Sequence, residues 1–152
     1  MITQTISERA TGASGGEKRG KPRSLPQHKR FFAVIAAAFN AWPESHPFQP
    51  DSDDHLRAWL TVAAKHCTIK TFHMGEEADT MARAIPIIIA SMLGEHAFCK
   101  AQGNDLLVCV PNSISYQAVS HGEFQEIARE VDEIICATLE IDDTDKLLRE
   151  PA

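Results

Sequence analysis

Apolar positions along this chain recur with two different periods. Phe31, Phe32, Ile35, Phe39 and Trp42 follow the three- and four-residue spacing of a helix with one wide buried face. Ser24-Leu25-Pro26-Gln27 just ahead has the form of a capping box with proline in the first turn, and Pro43 ends the run. A second helix is expected from Asp51 or Ser52. Asp53 and Asp54 lie in its first turn, where the helix dipole favours negative charge, and Leu56, Trp59, Leu60 and Ala63 or Ala64 form its buried stripe. Ser120-His121-Gly122-Glu123 repeats the capping-box pattern. Behind it Phe124, Ile127, Ala128, Val131, Ile134 or Ile135, and Thr138 or Leu139 predict a long amphipathic helix. A short helical turn around Asp145–Leu148 follows.

The middle of the chain reads differently. Ile69–Phe72 predicts a short strand. Glu76–Leu93 has helical composition with Gly94 as its stop, and Pro86 should kink it, split it or begin a second helix. His96–Gln102 and Leu106–Asn112 predict a β-hairpin around Gly103-Asn104-Asp105. A symmetric three-residue loop centred on Asn104 would set Cys99 opposite Cys109 and Phe98 opposite Val110, so that both thiols share one face. The expected fold is α+β, with three or four helices packed on a small antiparallel sheet containing a β-hairpin. Residues 23–152 are expected to form a single globular domain. Residues 1–22 are expected to be a disordered basic N-terminal arm, because Thr11-Gly12-Ala13-Ser14-Gly15-Gly16 is small and flexible and no apolar period precedes Leu25.

Composition narrows the class. A chain of 152 residues, 43% hydrophobic and 24% charged, has the make-up of a globular domain with one core. The longest aliphatic stretch, Ile85–Met92, contains a proline and falls far short of the ~18 residues that span a bilayer, so no membrane partner is expected. The N-terminal charges are not followed by an apolar export segment, which points to the cytoplasm. Cys67, Cys99, Cys109 and Cys136 form no C-x-x-C pair and are expected to be packed, reduced thiols. Adjacent His66 and Cys67 come nearest to a ligand pair, and that spacing predicts no metal and no other cofactor.

Charge is the main asymmetry. Residues 1–30 hold seven Lys or Arg against two acids, a balance of +5. The remainder holds eight against nineteen, a balance of −11, and the whole chain is −6. Lys18, Arg19, Lys21, Arg23, Lys29 and Arg30 are the candidate nucleic-acid contacts, since each can displace a condensed counterion and the last three flank an anion-friendly helix start. The same charges would also suit a solvated tail and a polar helix face. A second class of function rests on the acids. Glu126, Glu130, Asp132 and Glu133 on the last long helix, with Asp142, Asp143 and Asp145, could present carboxylates where a partner expects phosphates, as an inhibitor of a CRISPR effector would. Such a surface is also what an ordinary solvated helix looks like.

Catalysis finds less support. Glu76-Glu77, Asp51-Ser52-Asp53-Asp54 and Asp142-Asp143 sit at helix starts or turns, where carboxylates belong for structural reasons. His66 with Cys67, or His96 with Cys99, are near only in sequence, and no nucleophile elbow, Walker loop or dinucleotide fingerprint occurs. No enzyme activity is expected. Phe31, Phe32, Trp42, Trp59 and Phe124 could stack on bases, but their helical spacing assigns them to the core. A helical domain so rich in Phe and Trp could also form a homodimer.

Three segments carry a family resemblance. Arg23-Ser24-Leu25-Pro26-Gln27-His28-Lys29-Arg30-Phe31-Phe32 with its continuation to Trp42-Pro43, Val110-Pro111-Asn112-Ser113-Ile114-Ser115-Tyr116, and the Gly122-Glu123-Phe124 helix opening together resemble an uncharacterised family encoded by bacteriophages and prophages. The likeness covers about residues 23–149. Asn112 stands where that family tends to have lysine, and Tyr116 where it has phenylalanine. The opening is also similar to that of NinB-type recombination mediators, which bind single-stranded DNA. The resemblance implies an accessory protein that travels with phage recombination and replication genes. Its partner would be single- or double-stranded nucleic acid, or a nucleic-acid-handling complex of the host, in the host cytoplasm. It implies no catalytic residue.

Overall fold

The computed structural model describes residues 25–115 and 117–149. Within them the chain divides into two compact units, one of residues 65–112 and one of residues 25–64 with 113–149. The class is α+β, as the sequence predicts: helices of seven residues or more accompany a three-stranded antiparallel sheet that contains a β-hairpin.

The unit of residues 25–64 and 113–149 is helical. It holds α1 (Leu25–Asn40), α2 (Asp53–Ala63), α4 (His121–Leu139) and the short α5 (Asp145–Arg149). Its helix starts are written locally. Ser52 is extended, and its Oγ accepts from the His55 N–H at 3.0 Å. Ser120 does the same for the Glu123 N–H at 3.2 Å. Each satisfies a donor that the first turn leaves without a partner. Ser24 lies outside the described residues. The helices close on a core of Phe31, Val34, Ile35 and Ala38 from α1, Leu56 and Leu60 from α2, and Phe124, Ile127, Val131 and Ile135 from α4. The α1 stripe departs from expectation at one aromatic. Phe32 is 37% exposed, and the smaller Val34 and Ala38 occupy the buried line instead, because the face that α2 and α4 cover is rotated from the centre of the aromatic run. Phe31 meets Phe124 edge-on at 5.1 Å. Trp59 stacks on Phe48 at 4.8 Å, and Trp42 donates Nε1–H to the Phe48 carbonyl at 2.9 Å, fixing the proline-bounded loop after α1.

The unit of residues 65–112 holds β1 (Cys67–His73), a 3₁₀ turn (Gly75–Glu77), α3 (Ala78–Leu93), β2 (Phe98–Gln102) and β3 (Asp105–Pro111). The sheet order is β1-β3-β2, and α3 packs on β2 and β3. α3 runs unbroken through Pro86 and ends on Gly94 at φ +68°, a left-handed cap that favours glycine. The hairpin exists but its register differs from the predicted one. Gln102 faces Asp105 across a two-residue turn, so Cys99 lies opposite Val108, and Cys109 opposite Phe98. Gly103 at φ +64° supplies the first central conformation of a type II′ turn, which makes the two-residue loop the tighter solution. One residue of slip reverses every side chain, and Cys99 and Cys109 therefore point to opposite faces. All four cysteines are free thiols.

Candidate nucleic-acid interface

The six basic candidates fall into three situations. Lys18, Arg19, Lys21 and Arg23 lie outside the described residues. Lys29 is exposed on α1 and makes no ion pair among the described residues. Arg30, one position further round the helix, turns into the protein. Its Nη2 donates to Asp145 Oδ1 at 2.6 Å and to Thr144 Oγ1 at 3.0 Å, and its Nη1 lies 3.5 Å from Asp132. Arg30 thus ties α1 to α4 and to the start of α5, which makes it a positioning residue.

The acidic candidates are interleaved with bases. Arg129 lies between two of them, donating to Glu133 at 2.8 Å and standing 3.8 Å from Glu126. Asp132 serves Arg30. Lys146 approaches Asp142 at 3.5 Å, and Asp143 Oδ1 accepts the Asp145 N–H at 2.9 Å, holding the first turn of α5. Glu130 is half-buried on α4. The carboxylates of α4 and α5 therefore alternate with Arg30, Arg129 and Lys146. Sequence reading names the acids and misses these partners, although Glu126, Arg129 and Glu133 at spacings of three and four carry a visible signal.

Between α1 and α4 lies an open groove of about 290 Å³, with the edges of Phe31 and Phe124 as its floor and Gln27, Arg30, Gln125 and Arg129 among its polar walls. No three His, Cys, Asp or Glu side chains gather at metal-binding spacing among the described residues. Nor is any helix there long and apolar enough to cross a membrane. The acid clusters at Asp53-Asp54 and Glu76-Glu77 occupy first turns, where helix dipoles receive them.

Titration follows this geometry. The hydrogen bond from Arg30 holds Asp145 below its ordinary 3.8, while burial pushes Asp132 upward against the pull of Arg30. The two act with opposite signs. A carboxylate lowered on folding stabilises the fold above its ordinary pKa and loses that contribution as pH falls through the folded value. A raised one contributes in acid and loses its contribution as pH rises. Asp145→Asn is therefore expected to be less stable than the native chain at neutral pH. The gap between their urea midpoints should close as pH falls below 3.8. A gap that persists unchanged into strong acid would refute the Arg30–Asp145 assignment.

Burial also raises all four thiols, Cys99 to about 11. These groups are protonated at neutral pH and make weak nucleophiles. In the native state Cys99 should react with a disulfide reagent at pH 7.5 at least ~100-fold more slowly than a free thiol of ordinary pKa. Labelling at the free-thiol rate would contradict the burial of Cys99.

No protein-family model, no curated protein and no solved structure matches the chain.

Proposed function

We propose that this chain is a phage-encoded, non-enzymatic accessory protein of the host cytoplasm. It binds nucleic acid through the basic residues that lead into α1, in the service of a recombination or replication complex. The sequence supports this with its +5 balance over residues 1–30 and with its likeness to phage proteins. The observation that carries the choice is the pairing of the acids. A protein that imitates nucleic acid needs a run of carboxylates free to meet its partner. Here Arg129, Arg30 and Lys146 break up the row formed by Glu126, Asp132, Glu133 and Asp142. Lys29, in contrast, displays its charge to solvent at the end of the basic segment. The contact set is then Lys18, Arg19, Lys21, Arg23 and Lys29, with Arg30 reassigned to holding the helices.

The test is a salt titration with labelled single- and double-stranded oligonucleotides. Five phosphate contacts imply a log–log slope of about −4.5 on duplex and about −3.5 on single strands. Binding that ignores salt, or no binding to either form at low salt, would overturn the proposal. So would stable capture of a CRISPR effector in the absence of nucleic acid.

A further inference from the structure

The outer edge of β1 presents a row of backbone groups that the sheet leaves unused. The Asn112 N–H donates to the His66 carbonyl at 3.0 Å, and the Met74 N–H to the Asn104 carbonyl at 2.9 Å. Both bonds extend the β1–β3 register at even positions of the chain on the β1 side. Antiparallel pairs alternate between bonded and non-bonded, so Thr68, Lys70 and Phe72 aim their backbone groups at β3. Ile69, Thr71 and His73 aim theirs away from it. Pro111 opposite Cys67 agrees with this phase, since proline has no N–H to give. Among the described residues no hydrogen bond reaches the outward backbone groups of Ile69, Thr71 and His73. Such a row is a template for a further strand. The other edge, β2, turns only Cys99 and Ala101 outward by the same alternation.

We infer that residues 2–7 of this chain add a fourth strand there, antiparallel to β1, with Ile6 opposite Ile69, Gln4 opposite Thr71 and Ile2 opposite His73. Three features select this segment. Ile2-Thr3-Gln4-Thr5-Ile6-Ser7 holds four β-branched residues and neither glycine nor proline, whereas residues 8–24 hold a single β-branched residue, Thr11. Its period is two, with Ile2 and Ile6 on one side and Thr3, Thr5 and Ser7 on the other, so it shows no helical spacing but suits a sheet. The second feature is charge. Lys70 is exposed in the middle of β1. A second copy of β1 pairing through Ile69 and Thr71 would set the two Lys70 side chains opposite or diagonal to each other on one face, which is destabilising. Residues 2–7 carry no charge and place Thr5 opposite Lys70. The third is reach. Residues 8–24 can extend to about 56 Å, far beyond the ~15 Å radius of gyration of a domain of this length, so the connection to α1 imposes no restriction. Lys18, Arg19, Lys21 and Arg23 then belong to a loop anchored at both ends. The strand itself is independent of the nucleic-acid reading.

Amide hydrogen exchange on the full chain, read residue by residue by NMR, is the test. The N–H groups of Ile69, Thr71 and His73 should exchange at least ~100-fold more slowly than in a free peptide. Deleting residues 1–7 should speed all three at least ~10-fold and leave Leu107 and Cys109, which bond to β2, as slow as before. Gln4→Pro should act like the deletion, because the Gln4 N–H faces Thr71. Thr5→Pro should be tolerated, because the Thr5 N–H faces away from β1. Free-peptide exchange at Ile69 and Thr71 in the native chain overturns the inference. So does protection that survives the deletion: if it grows with protein concentration the edge belongs to a second copy, and if it does not the edge belongs to another part of the chain. Release by Thr5→Pro but not by Gln4→Pro overturns the register.

Discussion

Replacing Lys18, Arg19, Lys21, Arg23 and Lys29 together by glutamine is expected to lower duplex affinity by about 10³-fold at 100 mM salt and to flatten its salt dependence. Each contact releases about 0.9 counterion on duplex, so five account for more than four decades over a tenfold change in salt, and three decades is a conservative share of that. Arg30→Gln should behave in the opposite way. Its guanidinium already has Asp145, Asp132 and Thr144 as partners, so the slope with salt should keep its native value, whereas loss of one phosphate contact would flatten it by about 0.9. The cost should fall on the fold instead, as a melting temperature lower by a few degrees. Binding measured by anisotropy and melting followed by circular dichroism separate the two variants. If Arg30→Gln removed binding while leaving stability intact, the role assigned to Arg30 would be wrong.

Phe124→Ala is expected to cost about 3–5 kcal/mol, a large share of the 5–15 kcal/mol that holds a typical domain together. Phe124 is 1% exposed and packs edge-on against Phe31. Its removal leaves a void under the α1–α4 groove, which neighbouring side chains cannot refill because Ile127 and Val131 are themselves held along α4. Phe32→Ala serves as the control. Phe32 is 37% exposed and keeps part of its hydration on folding, so its truncation should cost roughly 1 kcal/mol. Equal losses in urea denaturation would contradict the face of α1 that the structure buries.

This contrast between two phenylalanines shows where sequence reading stops. The apolar spacing of α1 announces a helix, but Phe31, Phe32, Ile35, Phe39 and Trp42 span an arc wider than its neighbours cover. Which part of the arc goes inside depends on where α2 and α4 lie. Arg30 is a similar case. In sequence it closes a basic cluster, while its nearest partner, Asp145, is 115 residues away, and no local pattern announces such a pair.

What the chain settles by itself is local. Ser52 and Ser120 cap helices because a hydroxyl beside a first turn needs only the next three residues to find its donor. Gly94 ends α3 because a left-handed residue favours the absence of a Cβ. Both were legible, as were the α+β class and the hairpin. The hairpin's register lay at the edge of legibility: Gly103-Asn104-Asp105 accommodates a two- or a three-residue loop, and pairing along the whole of β3 with β1 and β2 selects between them. Tertiary structure alone decided which charges are spent inside the fold and which apolar residues stay outside it. Ile87, Ile88, Met92 and Leu93 of α3 are among those left outside, and no local pattern announces which side of that helix the sheet covers.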